Sequence, residues 1–191
     1  MSALEPRPLR ADARRNRERI VAAAREVFAE CGQAAQMDDI ARAAGVGVGT
    51  VYRHFPTKDA LVGELLRAKF RGHADAAERW AQRPSGWEAF EGFLRESFAA
   101  MAADATMQRM MWVTSEAAMK HAEDTQQELA TVVDGLIGRA KTEGRLRADF
   151  DVTDMPALMC AVGGVMSADN HRVRRWEHLV EIVIDGLRAR A

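Results

Sequence analysis

A chain of 191 residues, 48% hydrophobic and 29% charged, has ordinary globular composition and is long enough for one large or two small domains with a real core. Its net charge of −1 hides an asymmetry: residues 1–83 hold 15 Lys and Arg against 11 Asp and Glu, and residues 84–191 hold 12 against 17, so a polyanion partner is expected at the amino-terminal end, where +4 also suits a merely solvated surface. Cys31 and Cys160, far apart in apolar helical patterns, exclude a disulfide framework and favour a reducing compartment; with no apolar run near the roughly 18 residues of a membrane span and no signal-peptide core, a cytoplasmic protein with no membrane partner is expected.

Strand signals are nearly absent, with a single Tyr and little alternation of period two, so the expected fold is all-α. It comprises a three-helix helix-turn-helix domain followed by a helical bundle, about nine helices in all. Residues 1–11, MSALEPRPLRA, hold two prolines and no periodicity and read as a flexible arm. From Asp12 to Glu30, Ile20, Ala23, Ala24, Val27 and Phe28 form an apolar stripe, and Arg14, Arg15, Arg17 and Arg19 crowd the first turns. Cations there oppose the helix dipole, so an external partner is expected to compensate them. Gly32 ends that helix.

Ile40, Ala41 and Ala44 give one apolar face to a short helix beginning at Gln36, which Gly45 stops. After Gly47, the residues Val48, Val51 and Phe55 form a second stripe, while Gly49, Thr50, Arg53 and His54 point the other way. Two short helices joined by a glycine-containing turn match the helix-turn-helix signature, assigned to residues 12–56. The narrow outward face suits a DNA major groove, about 12 Å wide.

Pro56 pushes Phe55 out of α geometry, and Thr57 caps a linking helix over residues 57–83. That helix is amphipathic through Leu61, Leu65 and Leu66, then polar with Arg71, His73, Asp75 and Glu78. Arg83, Pro84, Ser85 and Gly86 make the clearest break, and residues 84–191 read as a second domain of five helices. Trp87, Phe90, Leu94, Phe98 and Met101 stripe the first of these, over 85–104. Met107, Met110, Met111 and Val113 to Met119 make a methionine-rich second. Leu129, Val132, Val133, Leu136 and Ile137 face inward on the third, over 124–143, which Gly144 terminates. Asp154 and Pro156 open the fourth in cap and first-turn positions. The last, over 172–189, carries Trp176, Leu179, Val180, Val183, Ile184 and Leu187.

No enzyme signature is present. The chain lacks a phosphate-binding glycine loop after a strand, an HExxH and a GxSxG, and its five histidines show no metal spacing, so no catalytic residue, metal or cofactor is expected. Cys160 with His171 reads as a buried thiol near a helix end rather than a nucleophile pair. Asp38 and Asp39 sit in a helix first turn, where acids favour the dipole.

The stretch GTVYRHFPTKDAL, residues 49–61, resembles the recognition helix and following turn of the TetR family of one-component transcriptional regulators, because aromatic, basic and proline positions agree together. The match covers about residues 14–66. Gln36 and Gly47 depart from it, standing where such proteins commonly have Ser or Thr, so a hydroxyl that could touch phosphate is missing. The DNA-binding set expected here is Arg17, Gly49, Thr50, Tyr52, Arg53, His54 and Lys58. Arg53 can donate two hydrogen bonds to guanine, and Thr50 can meet a thymine methyl or a phosphate. Lys58 joins its ammonium to backbone N–H groups at a helix start and suits a phosphate. Period puts Tyr52 at the edge of the core, whereas the resemblance implies a phosphate contact by its hydroxyl; it also implies that the start of the first helix, with Arg17, lies beside the DNA backbone.

Gly163 and Gly164 within AVGGVM permit close helix approach, and the last helix has more apolar surface than one neighbour needs. With the resemblance, this suggests a homodimer through a four-helix interface of Met159, Gly163, Gly164, Met166, Trp176, Val180, Val183, Ile184 and Leu187, intramolecular packing being the alternative. Phe93, Met101, Met110, Met111, Trp112, Met119 and Met159, with Ser97, Ser115, Glu116 and Cys160 as polar anchors, form either ordinary core or a pocket for the small apolar effector that the resemblance implies. The functional expectation is a repressor released from a palindromic operator by that effector. The alternative is an effector-independent architectural dimer whose second domain only dimerises.

Overall fold

The computed structural model describes residues 7–104, 114–167 and 176–189. Among them run nine α-helices: α1 (Arg7–Cys31), α2 (Met37–Ala44), α3 (Val48–His54), α4 (Lys58–Ala81), α5 (Gly86–Ala103), α6 (Glu116–Lys120), α7 (Glu123–Thr142), α8 (Met155–Ser167) and α9 (Trp176–Leu187). The described residues form no strand, only an isolated antiparallel bridge between Leu146 and Arg188. Met110, Met111 and Trp112 lie outside them, as do Met107, Val113, His171 and Arg172. The chain divides into two compact units, Met1–Leu66 with Arg109–Ala122, and Arg67–Gln108 with Glu123–Ala191.

In the first unit the apolar stripes close on one another as their spacing requires. Ile20, Ala23, Ala24, Val27 and Phe28 of α1, Met37, Ile40, Ala41 and Ala44 of α2, Val51 and Phe55, and Leu61, Val62, Leu65 and Leu66 of α4 are all buried. Gly45 takes φ 62° and ends α2 in the left-handed conformation, where its N–H meets the Arg42 carbonyl at 3.1 Å and that of Val46 meets Ala41 at 3.0 Å. Neither Gln36 nor Gly47 caps with a side chain; Gln36 turns its amide to the Ala34 carbonyl at 3.0 Å instead. Thr57 Oγ1 accepts the Ala60 N–H at 3.0 Å, the cap expected for α4.

Helix α1 starts at Arg7 rather than Asp12, because Pro8 occupies a first-turn position where a missing N–H has no consequence. Arg14 to Arg19 therefore lie well inside the helix, beyond the reach of its dipole, which fades within the first turn. They also find partners in the chain: Arg14 pairs with Glu18 at 3.7 Å, Arg15 with Asp12, Arg17 with Glu64 at 2.6 Å, and Arg19 donates to the Ala44 carbonyl at 2.6 Å.

The second unit is built on α5. Its Trp87, Phe90, Phe93, Leu94 and Phe98 meet Val133, Leu136, Ile137 and Ala140 of α7, Val162 of α8, Val180, Ile184 and Leu187 of α9, and Ala76 and Ala77 of α4 in one core. Ser85 caps α5, and the Glu143 carboxylate accepts from the Ser85 hydroxyl at 3.0 Å and from the N–H groups of Gly86 and Trp87, the latter at 2.9 Å. An acid at those orphan donors is favourable. One turn earlier on α7, Arg139 donates to the carbonyls of Ala81 at 2.6 Å and Pro84 at 3.1 Å.

Two local expectations are corrected. The cap before α8 is Asp151, not Asp154: a 3-10 turn over Val152–Asp154 intervenes, with Asp151 accepting from the Thr153 N–H at 2.8 Å and Asp154 from the Asp151 N–H at 2.9 Å. Cys160 is exposed rather than buried, and Cys31 is exposed as well. Cys31 ends α1 past the stripe that closes at Phe28, and Cys160 lies on the side of α8 away from buried Val162.

Candidate functional site

On α3 only Val51 is buried, and it anchors the helix together with the Phe55 that follows. The other side is open: Gly49 and Arg53 are exposed, Tyr52 is 48% exposed, and Thr50 and His54 are half-buried. No neighbouring atom lies within 4 Å of where a Gly49 side chain would begin, so backbone can approach a partner closely there. Val48, expected in the inward stripe, is 41% exposed. As the first residue of a two-turn helix it lies beyond the core that holds Val51, and it stands one turn from Tyr52 on the outer face. Sequence reasoning missed it, since an apolar residue in register with a stripe is read as core.

Flanking α3, the Arg17 guanidinium lies 4.9 Å from the centroid of the Phe55 ring and bonds Glu64, which raises its pKa further above the ordinary arginine range. The Lys58 ammonium stands 5.6 Å from the Phe28 ring centroid at the first position of α4. Arg19 serves the carbonyl end of α2. The three cations thus hold α1, α2 and α4 together around the turn that presents α3.

The residues expected in an effector pocket divide. Ser115, Glu116 and Met119 belong to the first unit, where the Ser115 hydroxyl caps α6 and donates to Asp59 at 2.6 Å. Phe93, Ser97, Met101 and Met159 belong to the second. Helix α5 sets Phe93, Ser97 and Met101 in one row, all buried, and Ser97 is only 2% exposed. The Ser97 hydroxyl lies 3.4 Å from His73 Nδ1 on α4. A Cβ on Gly163 would come within 2.8 Å of the Met101 sulfur, so the close approach this glycine permits is between α8 and α5 of the same chain.

His73 and, one turn before it, Lys69 are half-buried, although the second half of α4 reads as polar. Burial, then the Lys69 charge, pushes His73 down to about 4 against the pull of Glu96. Burial likewise lowers Lys69, against Asp104 and Cys160. The available signal was that the stripe of Val62, Leu65 and Leu66 continues at helical spacing through Lys69 and His73 to Ala76, Ala77 and Trp80.

Of the residues expected between protomers, Val180, Ile184 and Leu187 are buried in the core of their own unit. Met159, Gly164, Met166, Trp176 and Val183 are half-buried, and Ile182, not anticipated, is 55% exposed.

Comparison with known proteins places these features. Residues 20–65 match the family model described as bacterial regulatory proteins of the tetR family, and residues 85–189 match the C-terminal domain of SbtR-like transcriptional regulators. A TetR transcription regulatory protein from Mycobacterium vanbaalenii is 35% identical, the alignment covering 95% of this chain and 100% of that one with a TM-score of 0.61. The TetR regulator SCO0520 from Streptomyces coelicolor is 30% identical over 92% and 99% of the two chains, with a TM-score of 0.60. FadR from Bacillus subtilis, in complex with stearoyl-CoA, shares the fold at 18% identity and a TM-score of 0.69, over 89% and 98%. Among curated proteins nothing matches. With an open recognition helix on a buried three-helix scaffold and both of its halves matched, the chain belongs to the TetR family of DNA-binding transcriptional regulators.

Proposed function

We propose that this regulator is a cytoplasmic repressor that binds a pseudo-palindromic operator as a homodimer and is released by a small effector held in the second unit. The observation that carries the DNA half is α3, which buries Val51 and leaves Val48, Gly49, Tyr52 and Arg53 open on one side. Arg53 is assigned to a guanine edge, Thr50 and Val48 to apolar contact with base edges, and Tyr52, His54, Lys58 and Arg17 to the flanking backbone. A dimer presents two such helices about 34 Å apart, in successive major grooves. Support for dimerisation comes from the apolar margin of α8 and α9, where Leu158, Met159, Met166, Leu179 and Val183 are covered only in part and Ile182 is exposed.

Control requires the effector to favour one conformation of the regulator over the other, since equal affinity for both would shift nothing. The Bacillus subtilis fold relative is seen with stearoyl-CoA, which supports a fold able to take a small molecule. The test is fluorescence anisotropy on duplexes selected from a random pool. Arg53→Ala is expected to cut the preference for the selected site over random duplex at least tenfold, whereas Lys58→Ala weakens all duplexes alike and flattens the log K against log salt slope by about one. Equal losses on selected and random duplex for Arg53→Ala, or a chain that binds its site as a monomer, would overturn the proposal.

A further inference from the structure

The open face of α3 has to be held at a fixed attitude, and the chain leading into it is poorly built for that. The connection Gly45, Val46, Gly47 carries two glycines, and α3 begins without a side-chain cap. A Cβ at Gly47 would meet nothing within 4 Å among the described residues. Within α3 only Val51 is buried, with Phe55 just after it. Those two side chains seat the helix on the core, while the attitude of its first turn, with Val48 and Gly49, depends on the connection before it.

That connection is held from α1. Arg19 stands one turn before the buried Ala23, at the margin of the apolar stripe, and its Nη2 donates to the Ala44 carbonyl at 2.6 Å and to the Gly45 carbonyl at 3.4 Å. The Ala41 and Arg42 carbonyls are taken within the turn, by the N–H groups of Val46 and Gly45, whereas those of Ala44 and Gly45 receive the guanidinium. A cation at a helix C-terminus is favoured by the dipole as well as by the hydrogen bond. The fit is close: a Cβ on Gly45 would fall 2.9 Å from Arg19 Nη2, so glycine suits that position both through its φ of 62° and through the guanidinium beside it.

We infer that Arg19 is a positioning residue for DNA recognition: it fixes the attitude of α3 by tying down the connection before it, and so governs discrimination between sequences without touching DNA. The inference rests on the reading that α3 lies in the major groove. Reading a base edge requires a side chain held within about 0.5 Å of its place, whereas the attraction to phosphates is independent of sequence. Loosening the connection therefore weakens the first and spares the second. An arginine that bound phosphate would behave differently, because its removal reduces the number of counterions released and flattens the salt dependence.

The test is fluorescence anisotropy of the full chain on selected and random duplexes over a salt series, with circular dichroism to measure the folded fraction and Lys58→Ala as the variant expected to flatten the slope. Arg19→Met is expected to lower the preference for the selected duplex by about tenfold, the scale of one lost base contact, with the random-duplex affinity and the log K against log salt slope as in the parent. Arg19→Lys, which keeps a cation able to donate to both carbonyls, is expected to restore most of that preference. Partial unfolding lowers binding to both duplexes in proportion and leaves their ratio unchanged, so the ratio separates positioning from stability. Should Arg19→Met not fold, Arg19→Gln carries the same expectation. A slope flattened by about one with equal losses on both duplexes would make Arg19 a phosphate contact and overturn the inference, with α3 still the reader. An unchanged preference, or no restoration by Arg19→Lys, overturns it too. If the parent prefers no duplex over any other, the groove reading falls with it.

Discussion

Replacing Gly92 by alanine sets two opposed effects against each other within α5. Alanine is favoured over glycine in a helix interior by about 1 kcal/mol. The added Cβ, however, would stand within 2.5 Å of Trp80 Cη2 and nearer still to Cε3 and Cζ3. Carbon atoms pack no closer than about 3.5 Å, so the indole must retreat by about 1 Å. It cannot do so freely, since its Nε1–H donates to Glu96 at 2.7 Å and Arg83 lies 5.4 Å from its ring centroid. Overpacking costs about 1–3 kcal/mol, and a strained hydrogen bond to a carboxylate adds about 1 kcal/mol, so the net change is a destabilisation of about 1–3 kcal/mol. Gly135 on α7 supplies the contrast: nothing lies within 4 Å of its Cβ position, so Gly135→Ala is expected to stabilise by about 0.5–1 kcal/mol. Urea unfolding followed by circular dichroism measures both, with the Trp80 indole N–H resonance reporting the displaced ring. A Gly92→Ala variant as stable as its parent, with that resonance unmoved, would refute the packing argument.

His73 titrates at about 4 in the folded chain against 6.5 when unperturbed, so between those values the unfolded chain takes up a proton that the folded chain refuses. Stability is therefore expected to fall as pH drops from about 6.5 to about 4, by up to about 3 kcal/mol, and His73→Gln to remove that component from a series of urea midpoints. Glu143, held below its ordinary range by the N–H groups of Trp87 and Gly86, contributes stability above its unfolded pKa and loses it in acid. Glu143→Ala is expected to lower Tm at pH 7, by a margin that shrinks as acid protonates the parent's carboxylate, read from Tm across a pH series. Val48→Ser should lose preference for thymine at one operator position without changing the salt slope, read by competition among singly substituted duplexes.

The reading head was legible because its signals are local. Gly45 and Thr57 act on the turn in which they stand, and the spacing of Ile40, Ala41, Ala44, Val51 and Phe55 states which side is covered. Val48 escaped because a stripe does not say where the core beneath it ends. The start of α1 was set five residues late because a proline counts as a breaker unless it falls in a first turn, and that depends on where the helix begins. His73 was misread for the opposite reason to Val48. Its polarity outweighed a periodicity that places it inward, so it was grouped with the polar residues of α4. The partners of Arg17 and Arg19, dozens of residues away, carry no sequence signal at all.

The stitch at the end of α7 has a consequence for how this protein can diverge. Arg139 serves carbonyls of residues 81, 83 and 84, and Glu143 takes the N–H groups of residues 86 and 87, so apart from the Ser85 hydroxyl every group they hold is main chain. Substitution in the connector leaves those atoms in place. The corner joining α4 to α5 can thus drift in residue type at positions 82–84, while the constraint falls on Ser85 as the cap, on Gly86, where a Cβ would come within 2.8 Å of the Arg139 and Ala140 backbone, and on two side chains more than fifty positions downstream.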